Sequence, residues 1–249
     1  MIGPCPSGSC AHGIPTDCHK GKIMTSIKIL SALFVALLSL PAMAVNVADL
    51  RCEYRQNPLG IDITTPRVSW KLESKARGAR QTAYQVLVAS SLKTLKMDHG
   101  DLWDSGKVES DQSVHVAYEG EPLASRQHVY WKVRVWDQDG DNSKWSAPAR
   151  WSMGLLKPED WTGQWIGVDW MPENAGPLPW LRKNVTLDVA PEQATAYVCA
   201  LGYYELYING KKVDDHVLSP AVTDYGKRGL YVTHEIGDYL KKGDNTIAL

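Results

Sequence analysis

The sequence predicts an all-β protein built from two consecutive β-sandwiches, the second of them incomplete. Three observations predict it. Short runs of alternating apolar and polar residues recur between Gly, Pro, Asn and Asp turns, while helical periodicity outside an apolar leader is confined to Leu92–Met97. The chain holds 10 Trp and 11 Tyr but 1 Phe, a balance that suits half-buried sheets and also sugar-stacking surfaces. Its last residues, Asn245 to Leu249, read as the opening of a strand with no turn or polar tail after it. Such an ending implies a sheet short of a member, with ladder groups unpaired, and so the front of a longer protein.

The elements follow in order. Residues 1–23 are polar, carry Cys5, Cys10 and Cys18 in no zinc spacing, and precede a complete export signal, so they read as an over-extended start. Residues 24–44 are that signal. Lys28 supplies a basic start, Ile29–Leu40 is an apolar run too short to span a membrane, and Ala42 and Ala44 place cleavage after Ala44. The mature chain is therefore expected outside the cytoplasm, periplasmic or extracellular, with no membrane anchor after cleavage.

The first sandwich is expected over 45–154. Val68, Trp70 and Leu72 share one face of a strand, and Tyr84, Val86 and Val88 share one face of the next. Leu102–Val108 reads as one short edge strand. His128–Asp137 carries the strongest alternation, with Val129, Trp131, Val133 and Val135 facing one way and Tyr130, Lys132, Arg134 and Trp136 the other. Asp137–Asn142 is a turn, and Trp145–Trp151 leads into a last strand. About seven short strands in roughly 100 residues indicate a sandwich, and the YQVLVAS and YWKVRVWD strands resemble a fibronectin type III module. Residues 155–164 form a connector. Residues 165–249 then give a second all-β series. Leu181–Val189 and Tyr204–Asn209 alternate, Ala194–Leu201 is apolar, Asn209-Gly210 signals a two-residue hairpin, and Gly229–His234 is a further strand. Cys52 and Cys199 fall in different domains and are expected as separate buried thiols.

A particular resemblance runs the length of the mature chain. It begins at Leu50-Arg-Cys-Glu-Tyr54, Asn57-Pro-Leu-Gly-Ile-Asp62 and Pro66-Arg-Val-Ser-Trp70. It continues through Leu102-Trp-Asp-Ser-Gly106, Tyr130–Trp136, Trp165-Ile-Gly167 and Leu181-Arg-Lys183, and is most specific at Gly202–Gly210, Thr223-Asp-Tyr225 and Gly243-Asp-Asn245. In order and spacing these pieces resemble the front end of the bacterial α-L-rhamnosidases of the family 78 type, whose catalytic domain is an (α/α)6 barrel. The resemblance implies a fibronectin-like domain followed by a jelly roll that this chain enters without finishing. The barrel, the missing C-terminal partner, would carry two carboxyls about 6.5–9.5 Å apart for inverting hydrolysis of terminal α-L-rhamnosyl groups. No catalytic residue is therefore assigned here.

The resemblance implies a rhamnose-containing carbohydrate as ligand, and calcium as an occasional companion in the jelly roll. Tyr204, Asn209, Asp224 and Tyr225 offer the stacking faces and polar edges such a ligand needs, with Asp224 and Tyr225, on a loop, the most plausible contacts. No cofactor motif is present. Asp137, Asp139 and Asp141 alternate as in a calcium loop but lack its distal Glu and helices. His216, Ser219 and Asp224 assemble a triad only on paper. A net charge of -1 points to neither nucleic acid nor an anionic membrane as a partner, and no nucleic-acid partner is expected. The rival reading is a self-contained, secreted carbohydrate-binding or adhesion protein.

Overall fold

The computed structural model describes residues 45–168 and 178–249. The segments expected as an over-extended start and as an export signal cleaved after Ala44, together with residues 169–177, lie outside the described residues. Ala42–Leu249 is one compact unit, and nearly all of its regular structure is strand.

The first sandwich contains β1 (Asn46–Cys52), β2 (Arg67–Glu73), β3 (Gln81–Ala89), α1 (Leu92–Lys96), β4 (Trp103–Asp104), β5 (Val108–Glu109), β6 (Val116–Ala117), β7 (His128–Asp137) and β8 (Ala149–Ser152). One sheet is β1–β2–β6. The other runs β4–β3–β7–β8, with β5 also on β3. The alternation read in β7 is the packing: Val129, Trp131, Val133 and Val135 are all fully buried, facing Val68 and Trp70 of β2 in one core. The single edge strand expected over Leu102–Val108 is two. Ser105 leaves the ladder to cap the Val86 N–H with its hydroxyl at 2.9 Å, and Gly106 turns at φ 61°.

The outer face of this second sheet is covered as well. Helix α1 starts at Ser91, whose hydroxyl accepts from the Thr94 N–H at 3.0 Å, and it lays Leu95 over Leu87 and Ala89. This explains why β3 is apolar on both faces. It also buries Lys132, whose ammonium donates to the Leu95 carbonyl at 2.7 Å and pairs with Asp98. A cation–aromatic stack continues across the same face. The Arg134 guanidinium lies 4.6 Å from the Trp145 ring centre and 5.1 Å from that of Trp136, and Lys132 and Lys107 lie 4.9 and 5.2 Å from those two ring centres in turn. The turn after β7 is a hairpin turn, but Asp137 is not solvated. It is buried, and its Oδ1 accepts the N–H groups of Asp139 and Asp141, each at 3.0 Å.

The second sandwich contains β9 (Arg182–Leu187), β10 (Thr195–Cys199), β11 (Tyr207–Ile208), β12 (Lys211–Lys212), β13 (Tyr231–Glu235) and β14 (Gly243–Ala248). Strands β12–β11–β14–β9 form one sheet and β10–β13 the other. The core between them is small: Leu206, Ile208, Val213 and Ile236, with Ala196, Val198 and Ile247 packed against it. Asn209 and Gly210 have φ of 52° and 78° and join β11 to β12 in the expected two-residue hairpin.

The expectation of an unpaired final strand is corrected. Strand β14 is interior, hydrogen-bonded to β9 on one side and β11 on the other, and Leu249 exchanges both backbone bonds with Leu181. It enters between strands contributed earlier in the chain, so its ladder is filled. The edge strands of this sheet are β12 and β9, and both strands of the two-stranded β10–β13 sheet opposite are edges. Asn245 locks the entry to β14: buried, it donates to the carbonyls of Lys241 and Gly243 and accepts from the Lys241 N–H and the Asn209 amide. Cys52 and Cys199 are both free. Cys52 is buried, its thiol pushed up to about 12 by desolvation, whereas Cys199 is only half-buried.

Strand β13 also joins the two sandwiches. Its odd positions face the first one. The Tyr231 hydroxyl accepts the Leu155 N–H at 2.9 Å, Thr233 packs on Gly60, and Glu235 takes both Nη1 and Nη2 of Arg150 at 2.8 and 2.7 Å. The Arg150 guanidinium holds the Glu235 carboxyl below the usual carboxylate range. A depressed carboxyl stabilises the fold above that range and loses the contribution as pH falls through its folded value. Glu235→Gln should therefore cost about 1 kcal/mol at neutral pH, as a bidentate pair near the surface does. The gap between variant and wild type should close on acidification, which denaturant unfolding at neutral and acid pH would check.

Candidate functional site

The even positions of β13 face the other way, into the second sandwich, and this places His234 in the shallow pocket of that domain. Its lining includes Tyr204, Glu205, Lys212, Asp214, His216 and Ser219. His234 is 3% exposed and engaged at both ring nitrogens. Nε2 lies 2.6 Å from the Tyr204 hydroxyl, and Nδ1 is hydrogen-bonded to Asp214 Oδ2. Burial pushes the Tyr204 phenol well up, so it serves as a neutral hydrogen-bonding group.

Asp214 stands two residues after β12, where φ is 56°. Its Oδ1 accepts the His216 N–H at 2.9 Å, which turns the chain and aims Oδ2 at two imidazoles. His216 Nδ1 lies 3.3 Å from that oxygen, and the two His rings tilt against each other at 5.9 Å. At the rim, Lys212 and Glu205 pair at 2.6 Å, and Lys212 holds the Glu205 carboxyl below its ordinary value. The cluster is a Tyr204–His234–Asp214 hydrogen-bonded chain with a second, exposed imidazole at its acidic end. It can hold a proton or a cation between Asp214 and the histidines. It offers no activated nucleophile and no acid–base pair of carboxyls.

The expected site residues are scattered. Tyr204 is in the pocket. Asn209 is not: its amide donates to the Tyr239 carbonyl and Asn245 Oδ1, and its oxygen accepts the Thr246 N–H. Asp224 and Tyr225 are exposed on the loop before β13, where Asp224 pairs with Lys227 at 3.1 Å. His216, Ser219 and Asp224 do not converge as a triad, because the imidazole turns to Asp214. Asp214 and His234 were missed. Asp214 reads as ordinary surface charge beside Asp215. The available signal for His234 was a histidine at an inward position of an alternating strand.

The fold defines a tandem β-sandwich module, immunoglobulin-type in its first half, its halves in contact through β13 and through Gln193 on His128. Residues 47–157 match the Rha78A-like N-terminal immunoglobulin domain, and residues 189–249 match the α-L-rhamnosidase N-terminal domain. An α-L-rhamnosidase of Formosa agariphila is 36% identical over 216 residues, covering 78% of this chain and 23% of that protein. The α-L-rhamnosidase structure from Dictyoglumus thermophilum superposes with a TM-score of 0.73 at 37% identity, over 81% of this chain and 24% of the other. That of Aspergillus terreus gives 0.71 at 31% identity, over 82% and 23%. The chain carries the N-terminal immunoglobulin and N-terminal rhamnosidase domains of the α-L-rhamnosidases. It spans less than a quarter of the length of these relatives.

Proposed function

We propose that this chain is the non-catalytic front part of an exported α-L-rhamnosidase, one that hydrolyses terminal α-L-rhamnosyl groups of glycans or glycosides with inversion. The observation that carries the reading is the succession of the two family matches along residues 47–249, within a chain that covers 23% of a full-length relative. The second sandwich is the front of a jelly roll. Its two-stranded sheet, and exposed apolar side chains such as Trp165, Leu178, Trp180, Leu201 and Val217, suit a surface that further domains of the parent cover. Asp224 and Tyr225, both solvent-facing, are the pair we assign to contact with a rhamnosyl group.

The test is an assay of the purified chain with p-nitrophenyl α-L-rhamnopyranoside. We expect no nitrophenol release above buffer, and release once the chain is fused to the C-terminal portion of a relative such as the Formosa agariphila enzyme. Hydrolysis by the chain alone would overturn the reading.

A further inference from the structure

We propose that Asp214, His216 and His234 form a binding site for a transition-metal ion, with zinc(II) the ion that best suits the donors. The three side chains bring one carboxylate oxygen and two imidazole nitrogens within 4.8 Å of one another. Zinc bonds of about 2.0–2.1 Å in a tetrahedron space neighbouring donors about 3.3 Å apart. Asp214 Oδ2 and His216 Nδ1 already stand at 3.3 Å. His234 Nδ1 is hydrogen-bonded to the same oxygen, so the ion takes the place of that proton and spreads the pair.

The surroundings are those of a built site. Asp214 cannot swing away, because its other oxygen is held by the His216 N–H. His234 is buried, and its far nitrogen lies 2.6 Å from the Tyr204 hydroxyl. When Nδ1 binds the ion, the imidazole carries its hydrogen on Nε2 instead, the displaced Nδ1 proton accounting for it, and donates it to the Tyr204 hydroxyl, the outer hydrogen bond that metal-bound imidazoles commonly make. His216 is the most exposed side chain of the three and supplies the movement needed to close the triangle. Three protein donors leave a fourth position toward the pocket mouth, open to water or an anionic ligand. The set is wrong for calcium, which takes six to eight oxygens, and right for a borderline metal that favours imidazole. Asp214 and His216 follow β12 in the four-stranded sheet, whereas His234 lies on β13 in the other. The ion therefore ties the two sheets of this small-cored sandwich together. The assignment is independent of the glycosidase reading.

Zinc(II) alone is titrated into the full, tag-free chain and into His216→Ala and Asp214→Asn, with calorimetry for affinity and thermal unfolding for stabilisation. Cobalt(II) serves as the spectroscopic substitute. Wild type should bind one zinc ion that both variants lose or bind at least about tenfold more weakly, and should gain thermal stability from zinc that the variants do not. The wild-type-minus-variant cobalt spectrum should show tetrahedral d–d bands without a thiolate charge-transfer band, which sets aside Cys5, Cys10 and Cys18, common to all three proteins. His216→Ala removes only an exposed ring, and circular dichroism verifies its fold. Equal zinc affinity in wild type and both variants, a thiolate band in the difference spectrum, or calcium binding tighter than zinc would each refute the site.

Discussion

Trp131→Ala should lower the stability of the first sandwich by about 3–5 kcal/mol, the range for removing a fully buried aromatic side chain. Trp131 is 0% exposed at the centre of β7. Its ring meets Trp151 edge-on at 6.5 Å, Trp151 meets Tyr118 at 6.1 Å, and Tyr118 meets Trp103 at 5.6 Å. Deleting it removes one end of an aromatic chain that crosses the core, and neighbours on rigid strands collapse poorly into the space. The conservative change separates volume from hydrogen bonding. The Trp131 indole N–H meets no acceptor among the described residues, so Trp131→Phe gives up packing only and should cost about 1–1.5 kcal/mol. Trp70 makes the contrast. Its N–H donates to Gln81 Oε1 at 3.0 Å, and Gln81 in turn holds the Ser110 and Gln112 carbonyls that lead from β5 to β6. Trp70→Phe loses the same kind of volume and also leaves a buried acceptor unpaired, an additional penalty of about 1–3 kcal/mol. Urea unfolding followed by far-UV circular dichroism ranks the three variants. Equal losses for the two Phe variants would show that neither indole N–H matters.

Where one face of an element is dry and the other wet, the sequence announced it. The valines and Trp131 of β7 alternate with Tyr130, Lys132, Arg134 and Trp136, and the valine face went to the main core as the alternation put it. Asn209-Gly210 announced its turn because few other pairs accept two positive φ values. The failures have physical causes. Strand β1 was not read, since Asp49 takes φ 49° inside a bulge that breaks its register with β2 between Ala48 and Arg51. Strand β6 is two residues long, too short to show a period. Lys132 read as an outward charge, and it is outward from the main core. Helix α1 covers that face, and only the tertiary fold brings the Leu95 carbonyl to its ammonium. The His234 cluster was the hardest to see. Its members come from a turn and from a strand 18 residues further on, brought together by the packing of two sheets.

The junction carries the second large expectation, and it can be separated into backbone and contact contributions. Gly60 sits at φ 70°, and a Cβ built there would lie 2.2 Å from Thr233 Oγ1 and 2.9 Å from its Cβ. Thr233 is β-branched and stands on β13, so its atoms have little room to yield. Gly60→Ala should therefore cost about 1–2 kcal/mol for the left-handed backbone and about 1–3 kcal/mol more for the overpacked contact. Gly78 is the internal control: it has φ 77° but nothing within 4 Å of its built Cβ, so Gly78→Ala bears the backbone cost alone. Adding Thr233→Ala to Gly60→Ala should recover part of that contact loss but stay below Gly78→Ala, because it removes the hydroxyl at 2.2 Å and leaves the Cβ at 2.9 Å. The loss should fall first on the second sandwich, whose core is Leu206, Ile208, Val213 and Ile236 and which relies on β13 being held by its neighbour. Gly60→Ala should accordingly split the unfolding transition, with the β10–β13 sheet melting at lower denaturant, while Gly78→Ala keeps a single one. If Gly60→Ala and Gly78→Ala prove equally stable, the Thr233 contact is soft, and the two sandwiches are coupled through the Arg150–Glu235 pair and the Tyr231 hydroxyl instead.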